Sequence, residues 1–198
     1  MKVIGVTGGS GAGKTTVLEL LRGHGAFSVD CDRLYDGLLR SSDALRRDLE
    51  KECGAAFLPD GSLDRAALSE RVFSDPDALR RLNGVVFYHV GVAVREELKA
   101  AKKDGYRLAA IDAVNLIESG LGELCDTTVA VLAPRERRIE RITARDGISR
   151  EQAVRRIDAQ QSDETFTAHC KITLQNDGDP AQLREAAETA LAEYLKEE

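Results

Sequence analysis

The sequence predicts an α/β fold in which a parallel sheet of five strands carries a phosphate-binding loop. First, five short apolar or β-branched segments alternate with helical patterns, as expected when crossover helices join parallel strands. Second, a glycine-rich loop, Gly8–Thr15, lies between the first apolar segment and a helical segment. Third, the segment between the second and third strands is far longer than a simple crossover. These observations predict a three-layer α/β sandwich with a helical insertion.

Helical patterns separate the predicted strands along the chain. The strands are Lys2–Thr7, Ala26–Val29, Leu108–Ile111, Thr128–Leu132 and Lys171–Leu174. In parallel sheets with crossover helices, ligands bind beyond the carboxyl ends of the strands. The polar residues that follow each strand are therefore the candidates for a functional site.

The first strand leads directly into a phosphate-loop pattern. Gly8–Thr15 fits G-x-x-x-x-G-K-[ST] in the strand–loop–helix context that this pattern requires. Glycines let the backbone turn its N–H groups toward a phosphate, and the helix N-terminus adds partial positive charge. Lys14 is expected to reach the β- and γ-phosphates of a nucleoside triphosphate, and Thr15 to bind Mg²⁺. The other predicted nucleotide contacts are Gly9, Ser10, Gly11, Ala12, Gly13 and Thr16. A chance glycine-rich turn is the alternative, but the flanking strand and helix favour a nucleoside triphosphate site.

Carboxylates follow the second and third strands. Asp30 and Asp32 come after the second, where either can accept a proton from an attacking hydroxyl or help to hold Mg²⁺. Alternatively, one of them caps a helix that begins near Arg33. Asp112 follows the third strand and is expected to be the second Mg²⁺ contact. Glu118 lies among apolar neighbours, where it has a functional role, caps a helix or forms a local salt bridge.

The segment between the second and third strands is several times longer than the dozen or so residues that a crossover needs. Helices are predicted over Asp43–Cys53, Asp64–Phe73 and Pro76–Lys102, with a turn at Asp60-Gly61. This insertion is a candidate acceptor-binding subdomain. Arg65, Phe87, Tyr88 and His89 are candidates for its pocket, although a histidine on a partly apolar face is more often structural.

Arginines concentrate after the fourth strand. Residues 135–156 contain eight arginines and four acidic residues, so this segment carries +4 and the rest of the chain −10. Helical spacing places Arg138, Arg141 and Arg145 on one face. A solvated basic helix is one interpretation. A lid that brings arginines over a transferred phosphoryl group is the other, and a helix–turn–helix pattern around Asp146-Gly147 favours it. A nucleic-acid surface fits less well, because no aromatic residues interleave with the arginines.

After the fifth strand, the turn-rich segment 175–180 contains Asn176, which either faces a purine or only takes part in the turn. The remaining chain, Ala181 to Glu198, has the pattern of one amphipathic helix that closes the fold.

Composition limits the classes of function. The chain has 198 residues, 42% of them hydrophobic, which suits one domain with a core. A net charge of −6 argues against a nucleic-acid partner, and no apolar run reaches the roughly 18 residues of a membrane span.

The chain enters a strand at residue 2, so we expect no signal peptide. Cys31, Cys53, Cys125 and Cys170 lack metal-ligand spacing and are typical of reduced thiols in a cytoplasmic protein. We expect a monomer or a small homo-oligomer.

Taken together, these motifs resemble the dephospho-CoA kinase family, and the resemblance runs from end to end. It rests on the phosphate loop, Asp30-x-Asp32, Asp60-Gly61-Ser62-Leu63-Asp64-Arg65 with Leu68 and Val72-Phe73, Leu82-Asn83, Glu118-Ser119-Gly120-Leu121, Arg141-x-x-x-Arg145-Asp146, Gln160 and Asn176-x-Gly178. The phosphate loop alone is generic. The Asp-x-Asp pair, the Asp-Gly-x-Leu-Asp-Arg segment and the Arg-x-x-x-Arg-Asp segment, in this order, are much more specific.

The resemblance implies a P-loop kinase that phosphorylates the ribose 3′-hydroxyl of dephospho-CoA with ATP. It implies that Asp32 orients or deprotonates that hydroxyl, that Arg141 and Arg145 neutralise developing charge, and that Asn176 passes near adenine. Arg65, with Glu118, would serve the acceptor. The implied organisation is one kinase domain with a core (1–41, 104–134 and 166–198), a helical acceptor subdomain (about 42–103) and a lid (about 135–165).

Two departures from the family pattern lie near the expected acceptor site. Phe87 and Tyr88 occupy the positions of a usual His-Pro pair, and His89 comes two places late, so it is assigned no acceptor role. Residues 114–118, Val-Asn-Leu-Ile-Glu, replace Pro-Leu-Leu-x-Glu. Both departures bear on acceptor affinity more than on phosphoryl transfer.

Three rival functions use the same nucleotide site. A kinase for another small hydroxyl or a nucleoside monophosphate fits the two departures. A GTP-dependent switch requires an Asn-Lys-x-Asp motif, which the sequence lacks. An ATPase that handles DNA is opposed by the acidic net charge and the short chain.

Overall fold

The computed structural model describes residues 1–196, and the side chains of all of these except residues 73 and 74. Its five strands are β1 (Lys2–Thr7), β2 (Phe27–Asp30), β3 (Leu108–Asp112), β4 (Thr127–Leu132) and β5 (Ile172–Gln175). They form one sheet in the order β2-β3-β1-β4-β5. Strand β1 pairs in parallel with β3 and β4, and β4 pairs in parallel with β5. The predicted α/β fold is therefore confirmed.

The helices come between the strands and after the last one. They are α1 (Lys14–Gly23), α2 (Cys31–Ser41), α3 (Asp43–Cys53), α4 (Arg65–Ser74), α5 (Pro76–Lys103), α6 (Arg135–Asp146), α7 (Arg150–Asp158), α8 (Asp163–His169), α9 (Pro180–Ala190) and α10 (Ala192–Leu195), with a 3-10 helix at Leu121–Leu124. Within residues 1–196, no helix combines the length and the apolar character that crossing a bilayer would require.

The chain divides into two compact units. One consists of Met1–Val29 together with the chain from Ala100 onward, and the other is Asp30–Lys99. The first unit contains the phosphate loop, and the second contains helices α2 to α4 with most of α5. The finer division into core, acceptor subdomain and lid stays a prediction.

The core of the first unit forms where the sheet packs against α1 and α9. Ile4 and Val6 of β1 are fully buried, as expected of a central parallel strand covered on both faces. Leu20 and Leu21 of α1 are equally buried in the same cluster, which also contains Leu183 of α9. This packing fixes the loop that joins β1 to α1.

Helices α6 and α7 form a hairpin, as the basic segment predicted. Gly147 ends α6 with a left-handed conformation (φ 64°), which a residue without a side chain adopts at little cost. Ser149 then caps α7 in a reciprocal arrangement with Gln152. Ile139 and Ile142 of α6 pack in one buried cluster with residues of α7. The hairpin therefore has its own small core.

The second unit has a separate core. Leu45 and Leu49 of α3 are fully buried and belong to one cluster with Leu39 of α2 and Leu68 of α4. Spacings of three and four residues place the buried side chains of α3 on one face of that helix. The predicted insertion is thus a helical unit with a hydrophobic interior.

Two features of the C-terminal third differ from the prediction. Helix α8 was not predicted. The single helix predicted from Ala181 is wrong, because α9 ends at Ala190 and α10 begins at Ala192. At Leu191 the backbone leaves the helical region (φ −102°, ψ 5°), and its side chain is fully buried in the core cluster. Core packing therefore interrupts a helical pattern, and residues 197–198 of that prediction lie outside the described part of the chain.

None of the four cysteines forms a disulfide bond. Cys31 and Cys53 are buried, and Cys125 and Cys170 are partly buried. Burial raises the pKa of the Cys125 thiol to about 12, and it also raises the pKa values of Cys53 and Cys170. These thiols are therefore mostly protonated at neutral pH.

Candidate active site

The phosphate loop joins the end of β1 to the start of α1, as the sequence predicted. Gly8, Gly11 and Gly13 have positive φ angles, and a Cβ added to Gly8 would collide with the carbonyl oxygen of Val131 in β4. The loop is therefore packed directly against the neighbouring strand. Only a residue without a side chain combines this backbone conformation with that contact.

Lys14 and Thr15 lie in the first turn of α1. The Lys14 ammonium donates a hydrogen bond to the carbonyl oxygen of Gly8 (3.0 Å), which folds this side chain back across the loop. Thr15 is exposed, and the first turn of α1 contains no acidic residue. The partial positive charge of the helix N-terminus is therefore not offset by a neighbouring carboxylate, which favours binding of an anion.

Asp112 is the last residue of β3 and lies opposite Val6 of β1 in the parallel register. Val6 is two residues before Gly8, so Asp112 reaches the carboxyl edge of the sheet beside the strand that leads into the phosphate loop. Its side chain is partly buried. A hydroxyl from Thr15 and a carboxylate from Asp112 are oxygen donors of the kind that Mg²⁺ prefers.

Arg141 of α6 also contacts the phosphate loop. Its guanidinium donates to the carbonyl oxygen of Gly11 (3.0 Å) and to the side-chain oxygen of Asn176 (3.3 Å). Asn176, which is 4% exposed, donates to the carbonyl oxygen of Ala12 (2.7 Å). A Cβ at Gly13 would collide with the Asn176 amide. Asn176 therefore supports the loop directly.

Arg145 has different partners. Its side chain is 62% exposed and pairs with Asp146 (2.7 Å), which also pairs with Arg156. Hydrogen bonding from Arg145 is the main cause that lowers the pKa of Asp146 to about 2. Of the two lid arginines predicted as catalytic, the structure brings Arg141 to the loop, whereas Arg145 forms an ion pair at the end of α6.

Arg138 and Gln160 also contact the loop, and the sequence did not single them out as site residues. Arg138 is 5% exposed and donates to the carbonyl oxygen of Ser10 (3.0 Å). The Gln160 side chain bonds the N–H of Ser10 (2.9 Å) and its hydroxyl (2.8 Å). Two features of the sequence could have identified them. Arg138 lies on the same helix face as Arg141, and Gln160 is one of the residues that carry the family resemblance.

In the second unit, the two carboxylates after β2 have distinct positions. The Asp30 carboxylate accepts a hydrogen bond from the N–H of Arg33 (3.0 Å) and so caps α2. Helix α2 begins at Cys31, so the predicted start near Arg33 is wrong by two residues, because Asp30 takes the cap position. Asp32 lies exposed in the first turn of α2.

Two of the other acceptor candidates, Arg65 and Glu118, lie at exposed positions, and His89 does not. Arg65, at the start of α4, forms an ion pair with Asp36 of α2 (2.7 Å). Glu118 is exposed in the turn that follows β3. His89 is mostly buried and hydrogen-bonds Asp48 of α3 (2.7 Å), which gives it a structural partner, as expected.

Comparisons with known proteins cover nearly the whole chain. The family model described as dephospho-CoA kinase matches residues 2–182. A dephospho-CoA kinase from Anaeromyxobacter dehalogenans is 39% identical over 194 residues, which are 98% of this chain and 92% of the relative. The solved structure of TT1252 from Thermus thermophilus is similar with a TM-score of 0.79 and 35% identity, covering 97% of both chains. A dephospho-CoA kinase from Campylobacter jejuni shares the fold, with a TM-score of 0.65 and 23% identity over 98% of both chains.

Proposed function

The chain belongs to the dephospho-CoA kinase family, and from this membership we propose how its residues carry out the family's reaction. The enzyme transfers the γ-phosphoryl group of ATP to the ribose 3′-hydroxyl of dephospho-CoA. The products are coenzyme A and ADP, and the reaction is the last step of coenzyme A biosynthesis. The observation that carries the mechanism is the loop between β1 and α1, with Lys14 folded across it.

The loop is proposed to bind the phosphates of ATP. Backbone N–H groups of the loop other than that of Ser10, which bonds Gln160, would surround the β- and γ-phosphates together with the N-terminus of α1. Lys14 would exchange its bond to Gly8 for phosphate oxygens. Arg141, already at the loop, would offset the charge that develops on the transferred group. Arg145 would have to leave Asp146 to do the same.

Thr15 and Asp112 are the proposed Mg²⁺ ligands. No group of three His, Cys, Asp or Glu side chains within residues 1–196 is arranged to hold a metal ion. Such a cage is not required, because Mg²⁺ in kinases is held by one or two protein oxygens together with phosphate oxygens and water. When bound, the ion would neutralise phosphate charge.

Asp32 is the proposed partner of the acceptor hydroxyl. The 3′-oxygen forms a bond to the γ-phosphorus, and the bond from that phosphorus to the β,γ-bridging oxygen breaks. The hydroxyl proton passes to the Asp32 carboxylate and from there to water, and ADP leaves. Asp30 caps α2, and Asp32 matches the second carboxylate of the family's Asp-x-Asp pair, which supports its assignment to the acceptor.

Two further assignments concern recognition of the substrates. Arg65 is proposed to break its ion pair with Asp36 and to bind a charged group of dephospho-CoA instead. Glu118 is proposed as a second contact to the acceptor. Asn176 is proposed to lie near adenine in addition to supporting the loop. A cytoplasmic location, where ATP is available, is supported by the four free thiols.

ADP release from Mg-ATP with dephospho-CoA tests this function. Adenosine, AMP, CMP and shikimate serve as alternative acceptors, and GTP as an alternative nucleotide. Strong stimulation by dephospho-CoA alone is expected. Equal stimulation by another acceptor would contradict the acceptor assignment and favour a kinase for a different small hydroxyl. A preference for GTP without transfer would favour a nucleotide switch.

A further inference from the structure

Ser10 of the phosphate loop is bonded at each of its polar atoms by residues far away in sequence. The Gln160 side-chain oxygen accepts the Ser10 N–H (2.9 Å), and the Gln160 amide nitrogen donates to the Ser10 hydroxyl (2.8 Å). Arg138 donates to the Ser10 carbonyl oxygen (3.0 Å) and to the Gln160 oxygen (2.9 Å). The three side chains form a closed network around one residue of the loop.

Arg138 remains a cation in this network. Burial lowers its pKa and the Asp163 carboxylate opposes that change, but the pKa of an arginine is far above neutral pH. Among the described residues, the carboxylate that pairs with Arg138 within 4 Å is that of Asp163, at 3.6 Å and half exposed. The hydrogen-bonding partners at Ser10 and Gln160 are neutral. A buried positive charge beside the loop is therefore only weakly compensated, which suits a site for an anion.

The contact with the loop backbone is direct. A Cβ added to Gly9 would collide with the Arg138 guanidinium, and a Cβ added to Gly11 would lie 2.8 Å from the Arg138 carbonyl oxygen. The side chain of Arg138 thus lies against Gly9 while its backbone lies against Gly11. No space is left there for the loop to shift while Arg138 stays in place.

The network also involves both ends of the α6–α7 hairpin. Arg138 lies in the first turn of α6, and Gln160 follows the end of α7 by two residues. The first turn of α6 and the residues after α7 are therefore both attached to Ser10. The Gly147 turn between α6 and α7 takes no part in the network. Any movement of the hairpin as a lid would thus pivot about its attachment to the phosphate loop.

We propose that Arg138 and Gln160 are positioning residues, which hold the Ser10–Gly11 part of the phosphate loop in the conformation that binds the triphosphate. The inference rests on the proposed use of this loop for ATP. A preorganised loop loses less conformational entropy when the nucleotide binds, so removal of the network weakens binding of ATP more than binding of the acceptor.

Calorimetric titration of the full chain with Mg-ATP tests the proposal. Gln160→Leu removes the bonds to Ser10 at similar side-chain volume, and about a 5- to 50-fold rise in the Kd for ATP is expected. The KM for dephospho-CoA should stay within about twofold and Tm within a few degrees. The matched control is Gln161→Leu at the exposed neighbouring position, which should leave all three values unchanged.

Two further variants keep the test decisive if Gln160→Leu does not fold. Arg138→Lys preserves the charge but cannot bond Ser10 and Gln160 at once, so it should also raise the Kd for ATP. Ser10→Ala removes only the hydroxyl contact and should have a smaller effect of about two- to threefold. Arg135→Lys, on an exposed part of α6, is the control for Arg138.

The outcomes separate this proposal from the proposed function. Normal ATP affinity in both Gln160→Leu and Arg138→Lys would overturn the positioning role, even if Tm falls, because a purely structural role lowers stability alone. Failure of the unaltered enzyme to bind ATP would overturn the proposed function itself. If it binds ATP but does not phosphorylate dephospho-CoA, only the acceptor assignment fails, and the ATP affinities still decide the role of the network.

Discussion

Arg141 and Arg145 lie one turn apart on α6, yet one contacts the phosphate loop and the other pairs with Asp146. We expect Arg141→Ala to lower kcat by about 100-fold, because it removes the donor that we propose offsets charge on the transferred phosphoryl group. The Kd for ATP should also rise, because Arg141 bonds the loop at Gly11, but by a smaller factor than kcat falls. Arg145→Ala is the matched comparison. If the two substitutions slow transfer equally, Arg145 also reaches the reacting group during turnover.

The Asp32 carboxylate is expected to act only on the acceptor. Asp32→Asn preserves size while removing the basic oxygen, so kcat should fall by about 10²- to 10⁴-fold. ATP affinity measured by titration should be nearly unchanged. Asp43→Asn, at an exposed position in the first turn of α3, provides a control for the loss of one carboxylate. Turnover close to normal in Asp32→Asn would remove Asp32 from the catalytic role.

Side-chain type and spacing were sufficient to predict Lys14 and Arg141 at the nucleotide loop. They were not sufficient to rank the arginines of α6, because a shared face does not specify which side chain meets which partner. The adjacent Asp146 bonds Arg145, and this local pairing is a matter of rotamers rather than of periodicity. Arg138 reaches Ser10 only because α6 packs beside the loop, which is a tertiary contact.

At the scale of elements, Asp146 at the end of α6 forms an ion pair with Arg156 of α7, which joins the two helices of the hairpin, and with its neighbour Arg145. The pKa of Asp146 is lowered from 3.8 to about 2, so the carboxylate stabilises the folded state when it is ionised. That contribution is fully present above about pH 4 and disappears as the pH falls through about 2.

We therefore expect Asp146→Asn to lower the free energy of unfolding at pH 7. The difference between variant and unaltered protein should shrink as the pH is lowered below 4, because Asp146 of the unfolded chain then takes up a proton that the folded chain, with its pKa of about 2, does not yet bind. Urea unfolding at pH 7, 5, 4 and 3 measures it. A difference that stays constant over this range would show that the charge of Asp146 does not stabilise the hairpin.

Strands were predicted more accurately than helix ends. The apolar runs place β1 to β5 to within one residue at each end. Strands β1, β3 and β4 are buried along nearly their whole length, which leaves a continuous signal, whereas β2 and β5 at the edges are mostly only partly buried and are each displaced by one residue at both ends. The start of α2 was misplaced because Asp30 and Asp32 are equally good caps in sequence. The end of α9 was missed because the backbone at Leu191 follows the packing of the core rather than helical propensity.

At the scale of the whole molecule, each unit has its own hydrophobic core, and the candidate ATP contacts are almost all in the first unit. Leu45→Ala in the second unit should cost about 2–5 kcal/mol of stability. Its effect should fall on the KM for dephospho-CoA more than on the Kd for ATP.

Leu21→Ala, in the core of the first unit, is the reciprocal substitution and should affect ATP binding more. Guanidinium unfolding followed by circular dichroism, together with the two binding measurements, separates these effects. Equal changes in ATP affinity from both substitutions would show that the two cores are energetically coupled.

The state of the four cysteines has a practical consequence for spectroscopy. Because the native thiols are buried or partly buried, and three of them hold their protons tightly, they should react slowly with maleimides at neutral pH. A cysteine introduced at an exposed position of the hairpin, such as Ala144 of α6, would accept a fluorophore selectively. The protein is thus suited to single-site labelling, and the emission of such a probe would report hairpin movement during turnover without removal of any native cysteine.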